Sequence, residues 1–311
     1  MSLLHDRDNF PDLIAATARA ERIDPGLVEK DYWVMHALWG LQQQGFGFQL
    51  KGGTSLSKGW KLIDRFSEDI DILIEPKGPV PVGRNQDSKA HVAARKAYFD
   101  GLSEQIAVPG FVAVERDTAF DDERFRSAGI RLVYPAVNVL PEGVKTGVLL
   151  EAGFDQVQPN QPRDITSWAY DRALASGLED LTDNRALGVA CYEPGYTLVE
   201  KLQTISTKYR RQQAEGSMPQ NFLRHYYDVY CLLGDEGVQA FVGTEAYHAH
   251  KAARFRSEEP DLTKNPAFQL SDPETRALYA EAYRRTAGLY YREQPALEDV
   301  LTRIQAQAAS L

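Results

Sequence analysis

The sequence predicts an α+β fold in two parts: an N-terminal domain of mixed sheet and helix, residues 1–190, and an α-helical C-terminal domain, residues 191–311, with the boundary near Ala190. Three observations predict it. Short apolar runs, some with strict alternation, are interleaved with helical patterns through the first half. Beyond Tyr196 the apolar spacing is helical to the end. A chain of 311 residues, 43% hydrophobic and 25% charged, is long enough to bury two cores.

Taken in order, residues 11–22 and 26–44 read as helices. The second places Leu27, Tyr32, Met35, Leu38 and Trp39 on one broad apolar side, with Asp24-Pro25 as cap and first turn. Residues 48–50 form a short strand leading into Gly52-Gly53, and residues 54–62 read as a helix. Ile70, Ile72 and Ile74 alternate with Asp69, Asp71 and Leu73, the pattern of a strand with one face on a core. EPKGPVPVGRNQDS, residues 75–88, is a flexible loop, and a helix follows over residues 89–105. Strands are expected near residues 111–115, 130–139 and 144–154, and the proline-containing FDQVQPNQPRD, residues 154–164, closes the mixed half. The helical half turns near residues 216–219 and 259–273, and no internal repeat is visible.

No run approaches the roughly 18 apolar residues that span a bilayer. The N-terminal MSLLHDRDNF carries acids and is followed at once by Pro11, instead of a basic and then apolar leader. A cytoplasmic protein with no membrane partner is expected. Two cysteines, Cys191 and Cys231, make neither a disulfide framework nor a zinc spacing, and His248 and His250 lack further ligands. A net charge of −9 argues against coating long nucleic acid by charge alone. Three basic stretches, KYRRQQ at 208–213, HKAARFR at 250–256 and YRRTAGLYYR at 283–292, share the C-terminal third. Each alone is an ordinary solvated helix face; together they offer an acceptor surface.

The chemistry lies in KGGTSLSKGWKLIDRFSEDIDILI, residues 51–74. On a strand, residues i and i+2 point to one face, so Asp69 and Asp71 project together and repel unless a cation sits with them. Hard oxygen ligands select Mg²⁺ or Mn²⁺, which commonly bridges a few carboxylates and substrate phosphates. Gly52 and Gly53 allow close backbone approach, and the N–H groups opening the helix at Thr54 form an anion site. A nucleoside triphosphate on the glycines, with metal between its phosphates and Asp69 and Asp71, implies in-line displacement at phosphorus. Glu151, at the end of an apolar strand in GVLLEAGFD, is the candidate third metal carboxylate; its alternative is a strand-end residue turned to water. Lys201 lies in a mostly apolar helical setting where a lone ammonium needs a phosphate or a carboxylate, or else pairs with Glu200. Asp228 is spaced as an intrahelical partner of Arg224. The aromatics of HYYDVY read as packing between helices.

GGTSLSKGW…RFSEDIDI resembles the nucleotidyltransferase motif of the AbiEii/AbiGii toxin family, the enzymatic half of type IV toxin–antitoxin systems, within the polymerase-β-like nucleotidyltransferase superfamily. VEKDYWV at 28–34, VEKL at 199–202 and RHYYDVYCL at 224–232 are similar to further family stretches, so the resemblance covers roughly residues 28–233. It implies a polymerase-β-like domain, nucleotide phosphates at Gly52, Gly53 and Thr54, and metal at Asp69 and Asp71. It makes Lys201 nucleotide-contacting or catalytic and Asp228 a member of the site. Ser67 falls on a matched position and is a nucleotide-binding candidate; for Ser67, Lys58 and Arg65 a salt bridge or helix cap is the alternative. His225 stands where many members have aspartate, and the distance from Gly53 to Asp69 suits this family better than the wider superfamily.

The expectation is a Mg²⁺- or Mn²⁺-dependent transferase moving a nucleoside monophosphate from an NTP to an acceptor. The resemblance makes that acceptor RNA, in particular a tRNA 3′ end, and the chain a growth-arresting toxin with a cognate antitoxin. Transfer to a protein or small molecule, or nucleotide binding without turnover, are the alternatives.

Overall fold

Residues 1–83, 85–155, 158–219, 221–255 and 259–311 are described by a computed structural model, in which the chain folds as two units: Met1–Trp60 with Ser67–Tyr192, and Lys61–Phe66 with Glu193–Leu311.

Two helices open the first unit, α1 (Phe10–Glu21) and α2 (Pro25–Gln43). Asp24 caps α2 by accepting from the Gly26 N–H at 2.8 Å, and Pro25 supplies the preset φ of the first turn. The chain then runs through β1 (Gly47–Lys51), the short α3 (Gly52–Thr54), β2 (Asp69–Glu75) and α4 (Lys89–Gln105), which Ser88 caps at the His91 N–H. Next come β3 (Ala113–Asp117), β4 (Ser127–Val133), β5 (Val148–Gly153), β6 (Asn160–Ile165), α5 (Trp168–Ala175) and β7 (Ala186–Tyr192). The strands form one mixed sheet in the order β3-β4-β5-β2-β1-β7-β6, with β2·β5 and β1·β7 parallel and the other neighbours antiparallel. The α2 helix packs against α1, α5, β5 and β7, and α4 packs on β3.

Several expectations are corrected. The helix read over 54–62 opens two residues earlier, so both glycines lie inside its first turn, and it continues from Ser55 to Gly59 with π winding before ending at Trp60. The strand expected over 130–139 is β4, which stops at Val133 ahead of Pro135, and the strand expected over 111–115 is shifted to Ala113–Asp117. FDQVQPNQPRD does not close the mixed half: its described end enters β6, and β6, α5 and β7 extend the sheet to Tyr192. Arg163 of β6 lies over the Trp60 ring at 3.8 Å, tying this edge strand to the end of the glycine helix.

Helices build the second unit: α6 (Pro194–Glu215), α7 (Arg224–Leu232), α8 (Glu236–Phe241), α9 (Glu245–Arg254), α10 (Pro266–Gln269), α11 (Pro273–Arg284) and α12 (Leu297–Gln307). Pro194 starts α6, and Gly216, at φ 72°, ends it in the left-handed conformation. Tyr226, Phe222, Phe268 and Tyr279 meet in its core, and Tyr226 donates to the Ala267 carbonyl at 2.7 Å. The strip Lys61–Phe66 belongs here through Phe66 N–H to Leu289 O at 2.7 Å and Tyr291 N–H to Asp64 O at 3.1 Å. Among the described residues no helix is long and apolar enough to cross a membrane.

Candidate active site

The site in the first unit is assembled by strand register. Ile70, Ile72 and Ile74 are buried, which turns Asp69 and Asp71 together to the other face of β2. In the parallel β2·β5 pair Asp71 lies beside Glu151, and in the antiparallel β1·β2 pair it lies beside Lys51. Lys51, Asp71 and Glu151 therefore form one row across three adjacent strands. The row continues to Gly129 of β4, so no side chain stands next to Glu151 on that side.

Gly52 follows Lys51 with φ +70°, and a Cβ placed on it would come 2.1 Å from Asp71 Oδ2. Glycine is required here twice over, by conformation and by contact, and the opening turn of the glycine helix lies directly against the carboxylate. Thr54 is fully buried, and its hydroxyl donates to the Asp69 carbonyl at 2.5 Å, locking the helix onto β2. Only its backbone N–H remains for an anion. Ser67 lies two residues before β2 and outside any helix, so the cap alternative does not apply.

The electrostatics of this face are unsatisfied. Burial, then the charges of Asp71 and Asp69, push the Glu151 carboxyl up to about 8, with Lys145 and Lys51 acting against them. Asp69 is raised by burial and by Glu68. Its Oδ2 meets the Lys145 ammonium at 3.3 Å, while its buried Oδ1 finds no hydrogen-bond partner among the described residues. An orphaned carboxylate oxygen beside two further carboxylates is an all-oxygen donor set suited to a hard divalent cation. Among the described residues no three histidine, cysteine, aspartate or glutamate side chains stand together closely enough to hold a metal ion as they are placed. The donors fit the cation in chemistry, and cation and phosphates would have to complete the site.

Sequence reasoning missed what holds this face in place. VEKDYWV runs along α2, and its three charged residues are buried. Glu29 accepts from the Val137 and Asn138 N–H groups at 2.9 Å each. Asp31 pairs with Lys58 at 2.7 Å and accepts from the Trp168 N–H, so Lys58 is taken up in a salt bridge. Lys30 donates to the Lys145 carbonyl at 2.5 Å and lies 3.8 Å from Glu68, which in turn accepts from the Lys145 N–H at 2.9 Å. Burial lowers Lys30 to about 8 against the pull of Glu68 and Asp69. The one signal in the sequence was three consecutive charged residues inside an apolar helix.

In the second unit, Lys201 and Asp228 are brought together at 2.9 Å. Asp228 is fully buried and gripped from two sides of its carboxylate by Arg65, at 2.6 and 2.7 Å. The intrahelical Arg224 partner expected for Asp228 is thus replaced by Arg65 and Lys201, and Glu200 pairs with Arg254 at 2.5 Å instead of with Lys201. Burial pushes Asp228 up, but Arg65 and Lys201 outweigh it and hold the carboxyl well below its ordinary value. His225 Nδ1 lies 3.4 Å from the Lys201 ammonium, and burial together with Lys201 and Lys208 pushes the imidazole well below its ordinary value, leaving it neutral. The basic stretches are partly compensated: Arg254 by Glu200, Arg284 and Arg285 both by Glu281, and Arg292 by Asp64 at 3.3 Å. Arg256 of the same surface lies outside the described residues.

A mixed sheet that sets two carboxylates on one strand and a third in register beside them, against a glycine-opened helix, fits the class of nucleotidyl transferases. The chain belongs to the family described as nucleotidyl transferase AbiEii toxin, type IV TA system, whose model matches residues 36–303. The match starts just beyond VEKDYWV and runs through the helical unit, well past residue 233, where the motif resemblance ends. No curated protein and no solved structure matches the chain.

Proposed function

We propose that the chain transfers a nucleoside monophosphate from an NTP to RNA, most directly a tRNA 3′ end, using Mg²⁺ or Mn²⁺ held by Asp69, Asp71 and Glu151. The observation that carries this reading is the buried Oδ1 of Asp69, without a hydrogen-bond partner among the described residues, beside the in-register pair Asp71 and Glu151. When bound, the cation supplies charge neutralisation and polarises the phosphoryl group under attack. Gly52 and Gly53 leave room for phosphate oxygens against the backbone of the glycine helix, with its N–H groups as donors. Lys201 and Asp228 enter through the family resemblance. Within their own unit Asp228 orients the Lys201 ammonium, as a fixed positive group suited to charge developing on a leaving pyrophosphate. In the cell such transfer would arrest growth and be restrained by a cognate antitoxin, in the cytoplasm.

The test is incubation of the purified chain with total RNA and each α-labelled NTP, with and without Mg²⁺. Metal-dependent label at RNA 3′ ends is expected, lost in Asp71→Asn and reduced more than about tenfold in Lys201→Ala. Label confined to protein or a small solute would replace the RNA acceptor with the corresponding alternative. No label under any condition would leave a binding module.

A further inference from the structure

Lys145 is the residue on the carboxylate face that neither the motifs nor the reading above assigns. Its main chain is pinned at both ends of one residue by buried charged groups from two different elements: Glu68 accepts from its N–H at 2.9 Å and Lys30 donates to its carbonyl at 2.5 Å. Lys30 and Glu68 are 0% and 1% exposed, 3.8 Å apart. A buried ion pair is expensive to desolvate and adds little to stability, so one whose two members both bind the main chain of one loop residue is better explained by placement than by folding. Glu29 holds the same loop further back, through Val137 and Asn138.

The side chain is treated differently from the backbone. It is 20% exposed, and its ammonium rests against Asp69 Oδ2 at 3.3 Å and over the Phe120 ring at 4.3 Å. The neighbouring ammonium, Lys51, has a second carboxylate in Asp155 at 3.9 Å. Lys145 thus combines a fixed Cα with a long, partly solvated stem whose charge lies against Asp69 and acts on Glu151, on the face where a cation would bind. A divalent cation entering that face would repel the ammonium, and the anion that arrives with the cation is a triphosphate.

We propose that Lys145 is a resident counter-ion of the carboxylate face that exchanges partners on substrate binding, leaving Asp69 to the cation and turning to the phosphates of the nucleotide. Lys30 and Glu68 are its positioning residues. The proposal rests on the metal-site reading above and adds to it a catalytic residue from the loop between β4 and β5. It also makes a signed prediction, because a resident counter-ion competes with free metal yet assists metal bound to phosphate.

The experiment measures binding, not turnover. Mn²⁺ affinity is determined by electron paramagnetic resonance for wild type, Lys145→Met, Lys145→Arg and Asp69→Asn. The affinity for inorganic triphosphate in saturating Mn²⁺ is then measured by calorimetry, with thermal unfolding as a check on folding. Lys145→Met is expected to bind free Mn²⁺ at least about threefold tighter, from removal of a nearby like charge, and triphosphate at least about tenfold weaker, from loss of a charge-assisted contact. Lys145→Arg should return both values towards wild type. Mn²⁺ and triphosphate affinities that are both unchanged, or both weaker, in Lys145→Met overturn the proposal. If Asp69→Asn abolishes Mn²⁺ binding while Lys145→Met changes nothing, this proposal alone fails; if Asp69→Asn leaves Mn²⁺ binding intact, the carboxylate site fails and the proposal with it.

Discussion

Two clusters of charge, one in each unit, are built from the same groups and balanced in opposite ways. On the sheet of the first unit Asp69, Asp71 and Glu151 share one face, and burial, with the charges of neighbouring acids, holds Asp69 and Glu151 above their ordinary range. In the second unit a single acid, Asp228, is enclosed by Arg65 and Lys201 and held well below it. The second cluster is internally satisfied. The first keeps a buried carboxylate oxygen, Asp69 Oδ1, with no hydrogen-bond partner among the described residues, and under the proposed function that difference separates a place that receives a ligand from one that orients a side chain.

The largest expected effect that would sharpen this contrast is on stability. Asp228→Asn leaves Arg65 and Lys201 without their buried acid, which costs about 3–5 kcal/mol, read as a drop in the denaturation midpoint. Asp69→Asn, without added metal, removes a like charge from a crowded face and should leave the midpoint unchanged or raise it. Similar destabilisation by both variants would erase the distinction between the clusters.

Gly52→Ala comes next. Its Cβ would meet Asp71 Oδ2 at 2.1 Å from a backbone at φ +70°, so the carboxylate must move and the residue is strained by about 1–3 kcal/mol. Metal-dependent transfer should fall more steeply than stability. Full activity in Gly52→Ala would separate the glycine turn from the site.

A smaller effect is the response to pH, and its sign differs between the clusters. Glu151 is raised from 4.5 to about 8, so the folded chain keeps a proton that the unfolded chain has lost. Without metal its contribution to stability is therefore full below pH 4.5 and is lost as pH rises towards about 8. Asp228 is lowered from 3.8, so its contribution is present above that value and lost as pH falls below it. Denaturation midpoints across pH 3–9 for wild type and Glu151→Gln (roughly the window of both groups) should show the loss between pH 4.5 and 8 only where Glu151 is present. The smallest effect belongs to the surface: Arg284 and Arg285 are 73% and 76% exposed beside Glu281, and replacing both by alanine should shift stability by less than about 1 kcal/mol.

The carboxylate face was legible in the sequence because its signal is local. Alternation of isoleucine with aspartate fixes which way Asp69 and Asp71 point, and paired glycines announce a close backbone approach. Glu151 was legible through the cost of a charge directly after three buried apolar residues, although β5 does not end there and runs on to Gly153. The β6 strand was not, since an edge strand carries polar residues and Pro162 with no alternating apolar face. Nor was the π winding after Thr54, which no residue pattern marks. Lys30 with Glu68, Arg65 with Asp228, and Lys145 with Asp69 are contacts between residues distant in the chain, and periodicity within one element holds no information about them.

The most direct measurement of the central claim, that the first cluster is completed by a divalent cation, is thermal unfolding with and without Mn²⁺, at roughly pH 5 and pH 8, well below and near the value to which Glu151 is raised. It compares wild type with the double variant Asp69→Asn/Asp71→Asn. Mn²⁺ should raise the midpoint of wild type at pH 8, raise it much less at pH 5, where a proton already neutralises Glu151, and leave the double variant unmoved at either pH. Equal stabilisation of wild type and the double variant by Mn²⁺ would contradict it.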